Sequence, residues 1–169
     1  LMNTAAAAGV DVKNVAVSKC AGTSTSVVLI HPDGARNFAY YGGASDRFGE
    51  NDFDLAAIKE AKVLSIGSAF SLPALDGGGM VKVLKYAKAN GVRTVLDVTG
   101  NPDANCFEAV KPALAYTDVF IPSYGEAVKL TGICDMEKAC GIFLDCGVGT
   151  AAIKMGRQGC FLCTENGCV

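Results

Sequence analysis

The chain has little of what several classes of function require. Its 169 residues include one histidine, His31. That rules out a zinc site built on a histidine pair. His31 precedes Pro32 in a turn-like stretch, and we give it no catalytic role. No apolar run approaches the ~18 residues that a membrane-spanning helix needs. The run at residues 27–30 is typical of those present. No cluster of Lys or Arg occurs. With 15 basic against 17 acidic residues and a net charge of -2, a nucleic-acid partner is disfavoured. No signal-peptide pattern is found, and the chain reads as cytoplasmic. Internal repeats, low-complexity stretches and linkers are also missing.

Half of the residues are hydrophobic and 19% are charged, the balance of a globular chain. The mean hydropathy of +0.30 suggests buried strands. At roughly 150 residues per domain, the length corresponds to about one domain. The eight cysteines invite a disulfide or zinc reading. Neither is favoured, because the chain is not short and carries no export signal. Cys160-Phe161-Leu162-Cys163 is a C-x-x-C without a second pair, and residues three apart on a strand face opposite ways. Scattered free thiols are the expectation.

The hydrophobic pattern predicts a helix end at residues 2–8, closed by Gly9. Strands at 27–30 and 38–41 flank an Asp33-Gly34 hairpin turn, and Gly42-Gly43 end it. The adjacent Tyr40 and Tyr41 then point to opposite faces. Asn51 or Asp52 is expected to cap a helix carrying Leu55, Ile58 and Ala61 on one face. From there short strands alternate with helices. Strands are predicted at 63–66, 93–98, 118–121 and 150–155, and helices at 80–89, 104–115, 123–130 and 136–144. That alternation predicts βαβ units, a mostly parallel sheet and right-handed crossovers with helices on both faces.

Ligands of open α/β sheets bind beyond the carboxyl ends of the strands. Four loops occupy such places: Gly67-Ser68-Ala69, Asp97-Val98-Thr99-Gly100-Asn101, Pro122-Ser123-Tyr124-Gly125-Glu126 and Lys154-Met155-Gly156-Arg157-Gln158-Gly159. Ser123-x-x-Glu126 opens a helix, and on local sequence it is first a capping box. Its place after a strand also makes it an anion site, where Glu126 suits phosphates only with a divalent cation between, held through water. Gly156-x-x-Gly159 is either a tight turn or a loop that lets a nucleotide phosphate approach the backbone. Lys154 either adds a point charge to that phosphate or is simply solvated. Asp97 ends a strand, and is either buried near the ligand crevice or simply a loop-capping carboxylate. Residues 147–152 match G-x-G-x-x-A, but they follow a helix and precede a strand, the wrong context for a dinucleotide fingerprint.

Taken together and in order, these loops resemble the ribokinase (PfkB) family of carbohydrate kinases. The run Asp118-Val119-Phe120-Ile121-Pro122-Ser123-Tyr124-Gly125-Glu126-Ala127-Val128-Lys129-Leu130-Thr131-Gly132 is similar to the family's N-x-x-E segment ending in L-T-G. Ala152-Ile153-Lys154-Met155-Gly156-Arg157-Gln158-Gly159-Cys160 resembles its T-L-G-x-x-G nucleotide loop. Residues 25–41 resemble its β lid, Gly43-Ala44-Ser45-Asp46 its G-A-N-A segment, and residues 90–97 its passage into a strand ending in Asp or Asn. Ser123 stands where Asn is usual, and Lys154 where Thr is common.

The resemblance implies a ribokinase-like three-layer α/β/α fold with a mostly parallel sheet and a small β lid. Residues 1–13 and 43–169 would form the core and 14–42 the lid. It implies transfer of the ATP γ-phosphoryl group to a hydroxyl of a sugar or sugar-like substrate, with Mg²⁺ as cofactor. By carry-over, Ser123 lies at the ATP phosphates, Glu126 organises Mg²⁺, and Lys154, Gly156 and Gly159 line the nucleotide site. Ser26, Val28 and Phe38 contact the sugar from the lid, with Ser68 at a further sugar-side position. A homodimer through the lid is also implied. Ribose, fructose, 2-keto-3-deoxygluconate and nucleosides all suit the family, with a slight lean toward a hexose or keto-sugar acid. A glycine-rich sugar-binding portion is expected before Leu1. The G-A-G-D segment, with the aspartate base and the amides that hold the phosphoryl group, is expected after Val169. Residues 1–169 would then be a central fragment without turnover of its own, with apolar surface exposed near both ends. The alternative reading is a non-catalytic nucleotide- or sugar-binding protein on the same fold.

Overall fold

The computed structural model describes residues 1–99, 102 and 104–169, and the chain forms two compact units, Leu1–Ser45 and Asp46–Val169. Gly100 and Asn101 of the loop after residue 99 lie outside the described residues.

The first unit holds helix α1 (Met2–Ala7) and the antiparallel strands β1 (Thr25–Ile30) and β2 (Arg36–Tyr41). The Asp33-Gly34 turn forms as expected: Asp33 Oδ1 accepts from the Ala35 amide at 2.9 Å, and the His31 amide donates to the Ala35 carbonyl at 2.8 Å. The His31 ring is hydrogen-bonded to the Asn37 side chain at 2.9 Å, a local turn contact. Every residue of both strands is exposed. Tyr40 pairs with Ser26 and Tyr41 with Thr25, so the two rings face opposite ways. Gly43 follows the hairpin at φ +54°, where a Cβ would collide with the Gly22 carbonyl and the Tyr41 ring. Only glycine suits that crossing.

The second unit is a six-stranded sheet with helices. In chain order it runs α2 (Leu55–Glu60), β3 (Val63–Ala69), α3 (Gly78–Ala89), β4 (Arg93–Val98), α4 (Ala104–Leu114), β5 (Val119–Phe120), α5 (Tyr124–Thr131), α6 (Met136–Asp145), β6 (Thr150–Lys154), β7 (Cys160–Thr164) and β8 (Gly167–Cys168). The sheet order is β3-β4-β5-β6-β7-β8; the first four strands are parallel, and β7 and β8 return antiparallel. Elements fall where the periodicity places them, with three differences. Asp54 caps α2 by accepting from the Ala56 and Ala57 amides, whereas Asn51 and Asp52 lie in a 3-10 turn over Glu50–Asp52. The strand β8 has only two residues, too short for a period to show. The crossover helices also do not alternate between faces. With strands in consecutive order, right-handed crossovers put successive helices on one face.

The packing agrees with that arrangement. Register places Ile66, Leu96, Phe120, Ala151 and Cys163 in one row across the sheet, and all five are buried. The Phe120 ring meets Phe143 of α6 edge-on, with centroids 4.9 Å apart, and Phe143 in turn faces Phe107 of α4. Leu84 of α3 and Leu114 of α4 join the same core. On the opposite face Val95, Asp97, Val119 and Thr150 are only half-buried, and Val63 is exposed. Leu1, Val10 and Val169 are exposed.

The cysteines differ from the free-thiol expectation. Cys163 and Cys168 face each other across β7 and β8 and are joined in a disulfide, the Cα atoms 4.1 Å apart. The hairpin between them, not sequence spacing, brings them into range. Cys160 is exposed while Cys163 is buried, the opposite orientation expected of C-x-x-C on a strand. Burial pushes the Cys140 thiol up to about 11, with a further upward push from Cys160, so it stays protonated and unreactive. Alkylation of the denatured chain without reductant is expected to label Cys20, Cys106, Cys134, Cys140, Cys146 and Cys160 only; labelling of Cys163 or Cys168 before reduction would contradict the bond.

The amino ends of the strands are tied by one carboxylate. Asp118 Oδ2 accepts from the Thr94 amide at 2.8 Å, and Oδ1 accepts from Lys88 Nζ at 3.2 Å. The fully buried Thr94 hydroxyl donates to the Tyr116 carbonyl at 2.7 Å and accepts from the Asp118 amide at 2.9 Å. Burial pushes the Asp118 carboxyl up, but the hydrogen bonds from Thr94 and Lys88 and the Lys88 charge outweigh it, and the net direction is down. A depressed carboxylate contributes stability that is present above its unfolded pKa of about 4 and lost as the pH falls through its lower folded value. Urea unfolding is expected to find Asp118→Asn less stable than the parent at pH 7, with the gap closing below about pH 4. A gap independent of pH would assign the loss to packing instead.

Candidate functional site

The parallel strands β3 to β6 end on one rim, and most of the sequence-predicted residues of this unit stand there. The helix α5 starts directly after β5 because Ser123 and Glu126 close a capping box. The Ser123 amide and hydroxyl each donate to Glu126 Oε2 at 2.7 Å, and the Glu126 amide donates to Ser123 Oγ at 3.4 Å. The structural reading of this motif is therefore realised. It leaves room for the chemical one: among the described residues Glu126 Oε1 accepts no hydrogen bond. By helix geometry the Tyr124 and Gly125 amides have no intrahelical acceptor, and nothing lies against the Cα of Gly125. The helix start thus presents two backbone donors and one carboxylate oxygen.

Lys154 is joined to this helix start through the backbone. Its amide donates to the Pro122 carbonyl at 2.9 Å, and it forms an isolated parallel bridge with Ser123. Its ammonium, at 44% side-chain exposure, is not simply solvated. Nζ donates to Asp97 Oδ2 at 2.5 Å, and Asp97 is 22% exposed. Asp97 sits near the end of β4, two strands away, and register puts it on the same sheet face as Lys154. Its other oxygen accepts from the Val98 amide at 2.9 Å. The carboxylate is thus more than a loop cap. A separation of 57 residues hides this pair in the sequence; only strand order and register bring it together.

After Lys154 the chain makes a 3-10 turn over Gly156–Gln158, closed by the Met155 amide donating to the Gly159 carbonyl at 2.8 Å. Gly156 and Gly159 have φ of +58° and +93°, conformations that side chains disfavour. A Cβ at either would meet nothing within 4 Å, so the backbone here is open to a ligand. The tight-turn reading holds, and the loop keeps the open backbone surface that a phosphate or base needs.

Ser68 lies near the end of β3, half-buried, at a register irregularity between Ile66 and Ala69. The segment after it carries a feature the sequence does not announce. Phe70 has φ +72°, and Asp76 holds it there, accepting from the Phe70 amide at 3.0 Å and the Leu72 amide at 3.1 Å. Burial pushes the Asp76 carboxyl up more than these two amides lower it. Ser26, Val28 and Phe38 belong to the first unit. Register places them on one face of the hairpin together with Tyr40. That face is exposed, with Phe38 at 60%. A separate cleft of about 510 Å³, lined by Asp135, Lys138 and Glu165 among others, includes none of the predicted residues.

A Ser→Ala change at a helix N-cap costs about 1 kcal/mol. Ser123→Ala is therefore expected to lower the unfolding free energy by about that amount, read by urea denaturation. An unchanged midpoint would mean that the box contributes nothing to α5.

The geometry can be set beside known proteins. Residues 1–169 match the model of the pfkB family carbohydrate kinases. Ribokinase of Staphylococcus aureus is 27% identical over 166 residues, 94% of this chain and 51% of that protein. The 2-dehydro-3-deoxygluconokinase of Thermoproteus tenax is 29% identical over 166 residues, with the same shares covered. The chain thus spans about half the length of the curated relatives it matches. Among solved structures, a ribokinase II from E. coli in complex with ATP and Mg²⁺ superposes with a TM-score of 0.79 at 26% identity, over 99% of this chain and 56% of that one. The fold is ribokinase-like α/β with a mostly parallel sheet, and the chain belongs to the pfkB family of carbohydrate kinases.

Proposed function

We propose that the protein takes part in ATP-dependent phosphorylation of a hydroxyl on a sugar or sugar-like substrate, with Mg²⁺. The observation that carries this reading is the meeting, on one rim, of the α5 amino terminus, the Glu126 oxygen that accepts no hydrogen bond among the described residues, the Lys154 ammonium and the open Gly156–Gly159 backbone. These are donors and charges of the kinds that a magnesium-bound polyphosphate needs. The relatives' activities point the same way.

The donor set fits a magnesium ion held through water. Glu126 keeps one carboxylate oxygen out of the capping box and can accept from metal-bound waters. The metal, when bound, neutralises phosphate charge next to that carboxylate. The chain's own residues do the rest. Ser123 fixes the direction of Glu126, the Tyr124 and Gly125 amides donate to a phosphate oxygen, and Lys154 adds a positive charge beside them. Gly156 and Gly159 let the nucleotide approach the loop backbone. By the resemblance, Ser26, Val28 and Phe38 are the sugar contacts of the first unit, Ser68 is that of the second, and residues 14–42 are a lid segment that pairs two copies of the protein. The substrate is a small polyhydroxy compound, a hexose or keto-sugar acid by preference. The resemblance assigns the catalytic base to none of residues 1–169. The reaction takes place in the cytoplasm.

The capping role and the metal role of Glu126 can be separated. Glutamine also completes a capping box. Glu126→Gln is therefore expected to keep the thermal midpoint of the parent while losing the Mg²⁺ dependence of ATP binding, measured by titration calorimetry. Mg²⁺ dependence that survives the change would remove Glu126 from the metal. Sugar-dependent ADP release by the 169-residue chain would contradict the assignment of the base.

A further inference from the structure

The ion pair between Asp97 and Lys154 has an organisation that the proposed phosphate site alone does not explain. Asp97 is held from its own side, since Oδ1 accepts the Val98 amide while Oδ2 takes the Lys154 ammonium at 2.5 Å. The pair spans the end of β5, on the half-buried face of the sheet, and Lys154 is tied by its backbone to Pro122 and Ser123. A lysine without such a partner samples many rotamers and loses that freedom when an anion binds. Asp97 is the less exposed member, at 22% against 44%, so it is a fixed anchor for a more mobile cation.

From this arrangement we infer that Asp97 is a positioning residue for the polyphosphate. It holds the Lys154 ammonium on the crevice side of the rim, beside the amino terminus of α5, so that an incoming phosphate meets a cation already in place. Asp97 acts through Lys154 and does not touch the ligand. Its carboxylate also opposes the ligand's charge, so the anchor's hydrogen bond favours binding while its charge disfavours it. Asparagine at this place keeps the acceptor and removes the charge. The inference rests on the phosphate site proposed above.

The test is titration calorimetry of the 169-residue chain with Mg·ADP and with inorganic tripolyphosphate, in parallel with thermal midpoints. Asp97→Ala is expected to weaken both ligands by about three- to tenfold, the scale of ordering one long side chain. Asp97→Asn is expected to bind at least as tightly as the parent. Lys154→Thr is expected to weaken binding, and Asp97→Ala added to it to weaken it no further. Asp97→Ala binding like the parent, Asp97→Asn as weak as Asp97→Ala, or additive losses in the double variant would each overturn the inference while leaving the phosphate site standing. If the parent chain binds neither ligand, the phosphate site and the positioning role fall together.

Discussion

The parallel register of β3 to β6 is the constraint on which the other features depend. Four strands in consecutive order, all running the same way, bring their carboxyl ends to one edge. The same order sends every crossover to one face and builds the core there, around Phe120 and Phe143. One sheet face is committed to packing. The other, with Asp97 and Lys154 on it, is left half-buried, and a charged pair can sit there without the full cost of burial.

The two rims of this sheet divide the work. At the amino ends Asp118, Thr94, Tyr116 and Lys88 form a network of short hydrogen bonds around a fully buried hydroxyl. At the carboxyl ends the polar groups are partly or fully exposed and, among the described residues, incompletely used: one Glu126 oxygen, two helix-start amides and a lysine held by a carboxylate. The first arrangement stabilises the strand starts. The second keeps donors and charges available, so a ligand can bind without first breaking the fold. Glu126 belongs to both kinds, since its Oε2 builds the helix while, among the described residues, its Oε1 accepts no hydrogen bond.

Much of this was legible in the sequence. Apolar periodicity placed α3 with Val83, Leu84 and Ala87 inward, and Ser123-x-x-Glu126 announced the start of α5 because a capping box is a local device. What was not legible is non-local. Strand order is not written in any one segment, so the helices were expected on both faces of the sheet. The Asp97–Lys154 pair and the Cys163–Cys168 bond both depend on register, and β8 is too short to carry a pattern. The α2 cap moved to Asp54 because several acidic and amide residues compete there, and only the hydrogen bonds to Ala56 and Ala57 choose among them. The hairpin was found in full, since its Asp-Gly turn and alternating strands are local.

The central claim is that the carboxyl rim of the second unit is a polyphosphate site. Amide chemical-shift mapping of the ¹⁵N-labelled chain during titration with Mg·ADP tests it most directly. The account predicts that the largest shifts fall on Tyr124, Gly125 and Glu126 and on residues 155–159. Shifts confined to the cleft at Asp135 and Glu165, or to the amino rim around Thr94 and Asp118, would contradict it.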